Sequence, residues 1–257
     1  MSSSRVVVVT GASSGIGAAI ASRFASQGCC LALHGHRNLQ GLQRIAREVQ
    51  GHGSSVRCWL HDLSDSSKLE SLVQSVYQWQ HRVDVWVNAA GADVLTGPAK
   101  LSSFENKLDT LYAVDLRATM MLSRAIARRM EMQSRDEKVG LPTILNVGWD
   151  QAEQGMEGES GQYFSAIKGA IMAFSKSLAK TVGPKVRVNC IAPGWIQTAW
   201  GQSASESWQK RAMAESCLER WGRPEDVANV AFYLASAEAE FINGQTIPVN
   251  GGWRSQS

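Results

Sequence analysis

The stretch Val6–Gly17, VVVVTGASSGIG, constrains this chain more than any other. Four consecutive valines are β-branched and apolar, which predicts a strand buried on both faces, as at the centre of a parallel sheet. Thr10–Gly17 then turns sharply, and Ala18–Ser26 has helical composition. Strand, glycine turn and helix make the βα unit that binds dinucleotides, with the helix N-terminus facing the phosphates. Gly11 permits the tight turn, Gly15 lets the backbone approach a pyrophosphate, and Gly17 lets the helix pack close to the strand. Ser13, Ser14 and Ile16 lie in the same loop and are expected to share in cofactor binding. The glycine spacing is G-x-x-x-G-x-G. Alone it describes no more than a flexible loop; its place between a buried strand and a helix makes it a binding motif.

A chain of 257 residues suits one α/β domain with a large core, or at most two small ones. The net charge of +3 is too small to argue for nucleic acid or a membrane surface. No apolar run approaches the length of a membrane span, and the opening MSSSR offers no signal-peptide core. Cys29, Cys30, Cys58, Cys190 and Cys217 are odd in number, form no CxxC pair, and mostly sit in strand-like stretches. Reduced thiols and a cytoplasmic location are therefore expected. The five histidines lack metal-ligand spacing, so no metal site is expected.

Strand-like and helix-like segments alternate from end to end. Strands are predicted at Cys29–His34, Ser55–Leu60, Val83–Val87, Thr143–Val147, Val186–Ile191 and Thr246–Val249. Helices are predicted at Leu39–His52, Ser67–Gln80, Phe104–Met130, Ala166–Val182 and Pro224–Leu234. Gln133–Pro142 reads as a polar surface insertion, and Gln197–Arg220 as a polar stretch containing tryptophan. Without repeats or linkers, the pattern is one doubly wound domain.

Several motifs carry a resemblance. They are TGASSGIG at Thr10–Gly17, Asp62-Leu63, NAAG at Asn88–Gly91, RVNCIAPG at Arg187–Gly194, Thr198, GRPEDVA at Gly222–Ala228 and NGQTIPVNGG at Asn243–Gly252. In this order, along nearly the whole chain, they resemble the short-chain dehydrogenase/reductase family. By pattern the chain looks most like its acyl-carrier-protein reductases and pteridine reductases. The resemblance implies a Rossmann-like, seven-stranded parallel sheet flanked by helices. It implies a nicotinamide cofactor across the C-terminal strand ends, a small carbonyl or alcohol substrate, and a homodimer or homotetramer. Asp62, with Leu63, resembles the acid that binds adenine; read alone, it is a helix cap or turn residue. Asn88, Ala89, Ala90 and Gly91 end a central strand with small residues beside the cofactor ribose, or simply stop the strand. Pro193, Gly194, Ile196 and Thr198 resemble the turn beside the nicotinamide, and a substrate-covering segment follows over about 195–221.

Cofactor choice is read at the end of the second strand. An NAD site places an acid there on the ribose 2′-hydroxyl. This chain has no acid until Glu48 and offers His36, Arg37 and Asn38. Arginine brings a permanent charge and a planar donor fork suited to a 2′-phosphate, so NADP(H) is expected. A solvated basic turn is the plainer reading.

The resemblance implies a reacting set of Tyr and Lys as Y-x-x-x-K, with a Ser and an Asn. Gly169-Ala170 and Phe174–Ala179 align Lys168 with the family lysine. Phe164 stands four residues before it, and Tyr163 five. A helix turns about 100° per residue, so positions four apart lie about 40° apart around the axis and positions five apart about 140°. Tyr163 is expected to point away from Lys168, unless the helix starts later or bulges. Trp149 takes the Ser position, with Asp150 after it, and Asp115 takes the Asn position. Asp150, Tyr163 and Asp115 are the candidate proton donors, since a buried carboxyl can have its pKa raised into the useful range. Two functions follow: an oxidoreductase with a rebuilt acid, or a non-catalytic NADP(H)-binding protein, as sensor or oligomer subunit. Trp195, Trp200 and Trp208, with Trp149, could stack on a flat ligand or pack on protein.

Overall fold

All five residues of strand β1, Val6–Thr10, are buried. The computed structural model describes residues 5–136 and 139–254, so the expected lack of a signal core in residues 1–4 lies outside the described residues, as does the centre of the polar stretch 133–142. The valines divide between two layers, as a two-residue period requires. Val7 and Val9 pack in one apolar cluster and Val8 in another.

Beside β1 lie β2 (Cys30–Gly35) and β3 (Val56–Leu60) on one side. On the other lie β4 (Val85–Asn88), β5 (Thr143–Val147), β6 (Arg187–Pro193) and β7 (Thr246–Val249). The seven strands run in the order β3-β2-β1-β4-β5-β6-β7, and every pairing is parallel. The chain moves outward from β1 to β3, then returns to β4 on the opposite side. That reversal opens a crevice at the C-terminal ends of β1 and β4, where ligands bind in open α/β sheets.

Helices α1 (Gly15–Ala25), α2 (Leu39–Gly51) and α9 (Pro224–Leu234) cover the Val7 face. Helices α3 (Leu69–Gln80), α5 (Ala118–Met132) and α6 (Gly158–Val182) cover the Val8 face. Three departures from the sequence reading bear on function. The helix expected over Phe104–Met130 is α4 (Phe104–Leu111), a π-helical segment over Tyr112–Arg117, and then α5. Helix α6 begins at Gly158, eight residues before the expected Ala166, so Tyr163 and Lys168 share one helix. The stretch 197–220 contains two helices, α7 (Ala199–Ser203) and α8 (Glu206–Ala214). All five cysteines are free thiols. Among the described residues no helix is long and apolar enough to cross a membrane.

Candidate active site

The crevice is shaped by close backbone approaches. Gly11 has φ +69°, and a Cβ there would stand 2.7 Å from the Ala90 Cα. A Cβ on Gly17 would stand 2.3 Å from the Gly11 carbonyl oxygen, so the first turn of α1 rests directly on the glycine turn. Only glycine fits either place. Thr10 Oγ1 accepts from the amides of Ala89 and Ala90, at 3.1 Å each, and joins the glycine turn to the end of β4. Thr198 comes over the same turn, its methyl 3.3 Å from where a Gly15 Cβ would lie. Ser14 precedes α1 with no capping hydrogen bond from its side chain. The open helix N-terminus and the cradle that side chains would fill fit a pyrophosphate.

Other expected cofactor residues are placed differently. The Asn88 amide is turned inward: it accepts from Trp86 Nε1 and donates to Ser123 Oγ and Asn146 Oδ1, while Asn146 donates to Ser175 Oγ. This buried chain ties β4, β5, α5 and α6 together. It commits both Asn88 Nδ2 hydrogens and one acceptor position of its Oδ1, and nothing in the local sequence announced it. The Leu63 side chain is buried in the cluster on the Val8 face, and Ile16 packs against the cluster on the Val7 face. Ile196 is buried, while the Gly194 amide donates to the Val249 carbonyl at 3.0 Å and fixes the turn after Pro193.

At the end of β2, His36, Arg37 and Asn38 are exposed. Asn38 caps α2, accepting from the Gly41 amide at 2.9 Å, and its amide group approaches the Ser13 carbonyl at 3.4 Å. Asp62 accepts from the Ser64 amide at 2.9 Å in a local turn, and His36 Nε2 lies 3.6 Å from its other oxygen. Burial pushes the Asp62 carboxyl up. The Ser64 hydrogen bonds, then His36 and Arg37, outweigh that and hold it below the usual value. Arg37 is exposed, acts on Asp62 only through its charge, and forms no ion pair among the described residues.

The centre of the site is an ion pair. Lys168 Nζ lies 2.9 Å from Asp115 Oδ2, and 3.5 Å from the Val147 carbonyl at the end of β5. Asp115 is 2% exposed, sits in the π-helical segment, and accepts from the Ala92 amide at 2.8 Å. A π turn widens the helix locally, a feature that recurs at functional sites. Gly91 leaves room for this carboxylate: a Cβ there would be 3.1 Å from Asp115 Oδ2.

Around the pair, aromatic rings stand where hydroxyls were sought. Phe164 meets Trp149 edge-on, centroids 6.2 Å apart. Tyr163 is buried and packs edge-on against Phe164 at 5.0 Å and against Phe104 at 5.8 Å, in an apolar cluster with Ile167 and Ile171. Burial, then the Glu159 carboxylate, raises its phenol above the usual value.

Asp150 lies by the ends of β6 and β7 and forms no ion pair with Lys168 among the described residues. Asn250 Nδ2 donates to its Oδ2 at 3.1 Å, and a Cβ on Gly194 would be 3.0 Å from the same oxygen. Its Oδ1 is enclosed and has no hydrogen-bond partner among the described residues. Burial pushes the carboxyl up to about 6, against the hydrogen bonds that favour its charge. Over this region lie Trp195, Trp200, Trp208 and Trp221, packed on one another with centroids 5.4–6.2 Å apart. Arg211 fastens them: it pairs with Glu157 from the loop before α6 and with Glu215, and lies over the Trp195 and Trp208 rings. Glu215 also accepts from Trp195 Nε1 at 2.7 Å. Arg211, Glu157 and Glu215 carried no local sequence signal, and Asn250, although within the NGQTIPVNGG motif, gave no sign of its partner Asp150, because these partners are distant along the chain. No cluster of metal-ligating side chains occurs among the described residues.

Residues 11–254 match the family model described as enoyl-(acyl carrier protein) reductase. The chain is 30% identical over 251 residues to a 3-oxoacyl-acyl-carrier-protein reductase of Thermotoga maritima, covering 96% of this chain and 97% of that one. It is 31% identical over 260 residues to dehydrogenase/reductase SDR family member 4 of Mus musculus, covering 99% and 88%. Among solved structures, a short-chain dehydrogenase from Burkholderia cenocepacia in complex with NADP superposes with a TM-score of 0.85 at 25% identity, covering 96% and 97%.

Proposed function

Because this chain belongs to the short-chain dehydrogenase/reductase family, we propose that it is an NADP(H)-dependent oxidoreductase for a small-molecule substrate, with an atypical proton donor. The cofactor reading is supported by the Gly11–Gly17 cradle, by an exposed Arg37 where an NAD site needs an acid, and by the NADP complex of the Burkholderia cenocepacia relative. When bound, such a cofactor supplies hydride transfer. The turn of Gly11, Ser13, Ser14, Gly15 and Thr198 would hold the pyrophosphate, and His36 and Arg37 the 2′-phosphate.

The observation that carries the reading of the reacting centre is the Lys168–Asp115 pair, with Phe164 four residues before Lys168 on α6 and packed edge-on against Trp149. Lys168 is kept in place by a buried carboxylate and the Val147 carbonyl. Phe164 has no proton to give, and the Trp149 indole N–H is too weak an acid to give one. Asp150 is the one carboxyl here whose environment suits it to hold a proton near neutral pH. The same loss of hydroxyls supports a second reading, a non-catalytic NADP(H)-binding subunit or sensor.

Ordinary ketones should be reduced very poorly. Loss of general-acid catalysis costs a factor of about a hundred to ten thousand, and loss of an oxyanion donor adds to it. The test is NADPH oxidation against ketones beside NADPH affinity. Phe164→Tyr combined with Trp149→Ser should create or raise ketone reduction, while Tyr163→Phe should change little. A robust wild-type activity abolished by Tyr163→Phe would reverse the assignment. Tight NADPH binding with no turnover by any variant would favour the binding-protein reading.

A further inference from the structure

We propose that this protein carries a second binding site, for an organic monocarboxylate, between α8, the loop before α6 and Trp253, and that the ligand takes the place of Glu157 on Arg211. The site goes beyond the oxidoreductase reading and does not rest on it. A cavity of about 570 Å³ lies there, within the range of small-molecule sites. Glu157, Lys210, Arg211, Glu215 and Trp253 are among its lining residues. Among the described residues, none of the glycine turn or of the Lys168–Asp115 pair lines it. Its far wall is pinned: the Arg254 amide donates to the Glu215 carbonyl at 2.9 Å, and Ser216 bridges to Trp253.

Arg211 is the recognising group. Its Nε donates to Glu215 Oε1 at 2.7 Å, and Glu215 is only 5% exposed, so one edge of the guanidinium is anchored in the protein. The Trp195 and Trp208 rings lie against it. The other two nitrogens form a fork that donates to both oxygens of Glu157. A planar fork held in advance is the donor set that binds a carboxylate. Its present occupant is replaceable. The Glu157 side chain is 75% exposed and makes no capping bond to α6, and an exposed ion pair contributes little. A carboxylate on an apolar body makes the same two hydrogen bonds and also covers the part-buried Trp253.

Charge sets the class. Glu215 stays behind Arg211, and Lys210 already pairs with Glu206 at the surface. A second negative charge on the ligand would meet Glu215 with no further buried cation to match it, which favours a monoanion over phosphate. Occupation has a consequence for the fold. Glu157 stands directly before α6, the helix of Phe164 and Lys168, while Arg211 belongs to α8. Displacing Glu157 removes a tie between the tryptophan cluster and the start of that helix.

The test is calorimetry on the full chain with 2-naphthoate, its neutral amide 2-naphthamide and inorganic phosphate, each with and without saturating NADPH. Naphthoate should bind at least about tenfold tighter than either other probe, whether or not NADPH is present. Glu157→Ala removes the competing carboxylate and should tighten naphthoate about threefold. Arg211→Lys keeps the charge but loses the fork and should weaken it at least about tenfold. Amide hydrogen exchange over residues 153–157 should rise when naphthoate binds. Naphthamide or phosphate binding as tightly as naphthoate, naphthoate binding abolished by NADPH, unchanged exchange over 153–157, or a Glu157→Ala affinity equal to or weaker than wild type would each overturn the proposal. So would full affinity in folded Arg211→Lys; if that variant does not fold, the exposed Glu157→Ala decides. Protein that binds naphthoate but no NADPH defeats the oxidoreductase reading alone.

Discussion

Asp150 carries a proton at a pH where an exposed aspartate has lost it. Its carboxyl titrates at about 6 because burial penalises the charge, against 3.8 for the ordinary group. The folded state therefore holds the proton more tightly than the unfolded chain does. The stability this provides is complete below about pH 4 and is lost as pH rises through about 6, a change of roughly 3 kcal/mol. Asp150→Asn cannot ionise and can keep the Asn250 hydrogen bond. Urea unfolding should show the variant more stable than wild type at pH 8, with the gain vanishing toward pH 4. A gain of the same size at every pH would mean that the carboxyl is not perturbed. Arg37 is the other residue whose role turns on one charge. Arg37→Asp should weaken NADPH binding by roughly tenfold or more, through loss of a charge-assisted contact and gain of a repulsion, while sparing NADH. Calorimetry with both cofactors on wild type and variant reads this directly; equal affinity of the wild type for the two would reject the NADP(H) assignment.

Between elements, the tightest joint is α1 against the glycine turn. The absent side chain of Gly17 is what allows it, since a Cβ would overlap the Gly11 carbonyl at 2.3 Å. That contact is to backbone and cannot be relieved by a rotamer change. Gly17→Ala should shift α1 away from β1, cost about 1–3 kcal/mol of stability by overpacking, and weaken NADPH binding because the N-terminal amides move with the helix. Thermal melts and NADPH titration measure the two effects, and an alanine variant with wild-type melting and binding would show that the joint yields. Helix α6 is the other decisive element. Its regular course from Gly158 turns Tyr163 toward Phe104 and leaves Lys168 to meet Asp115. The spacing of Tyr163, Phe164 and Lys168 was legible in the sequence. The ion pair was not, because Asp115 reaches Lys168 from a π-helical segment that composition does not reveal.

For the whole molecule, the helical layer from Phe104 to Met132 presents apolar side chains on its outer side as well as its inner one. Tyr112 and Met121 are half exposed, while Leu111, Leu122 and Ile126 face the core. A helix with apolar residues on more than one face calls for a second partner surface, and the family resemblance implies a symmetric dimer or tetramer. Light scattering at micromolar concentration should give two or four times the chain mass of 27.9 kDa. A monomer would reject it.

The chain by itself determined the doubly wound sheet, the glycine cradle at its central strand and the absence of an acid at the end of β2. These are local: runs of β-branched residues, glycine spacing and the sign of a side chain act within a few residues of where they stand. Tertiary structure decided what each polar group does. It turned Asn88 into the buried network, spent Asn38 on a helix cap, gave Lys168 to Asp115, enclosed Asp150 against Asn250, and packed four tryptophans on each other under Arg211. Each of these is a contact between segments that only the folding of the sheet brings together, and the free energy of a buried polar group depends on the partner it finds there.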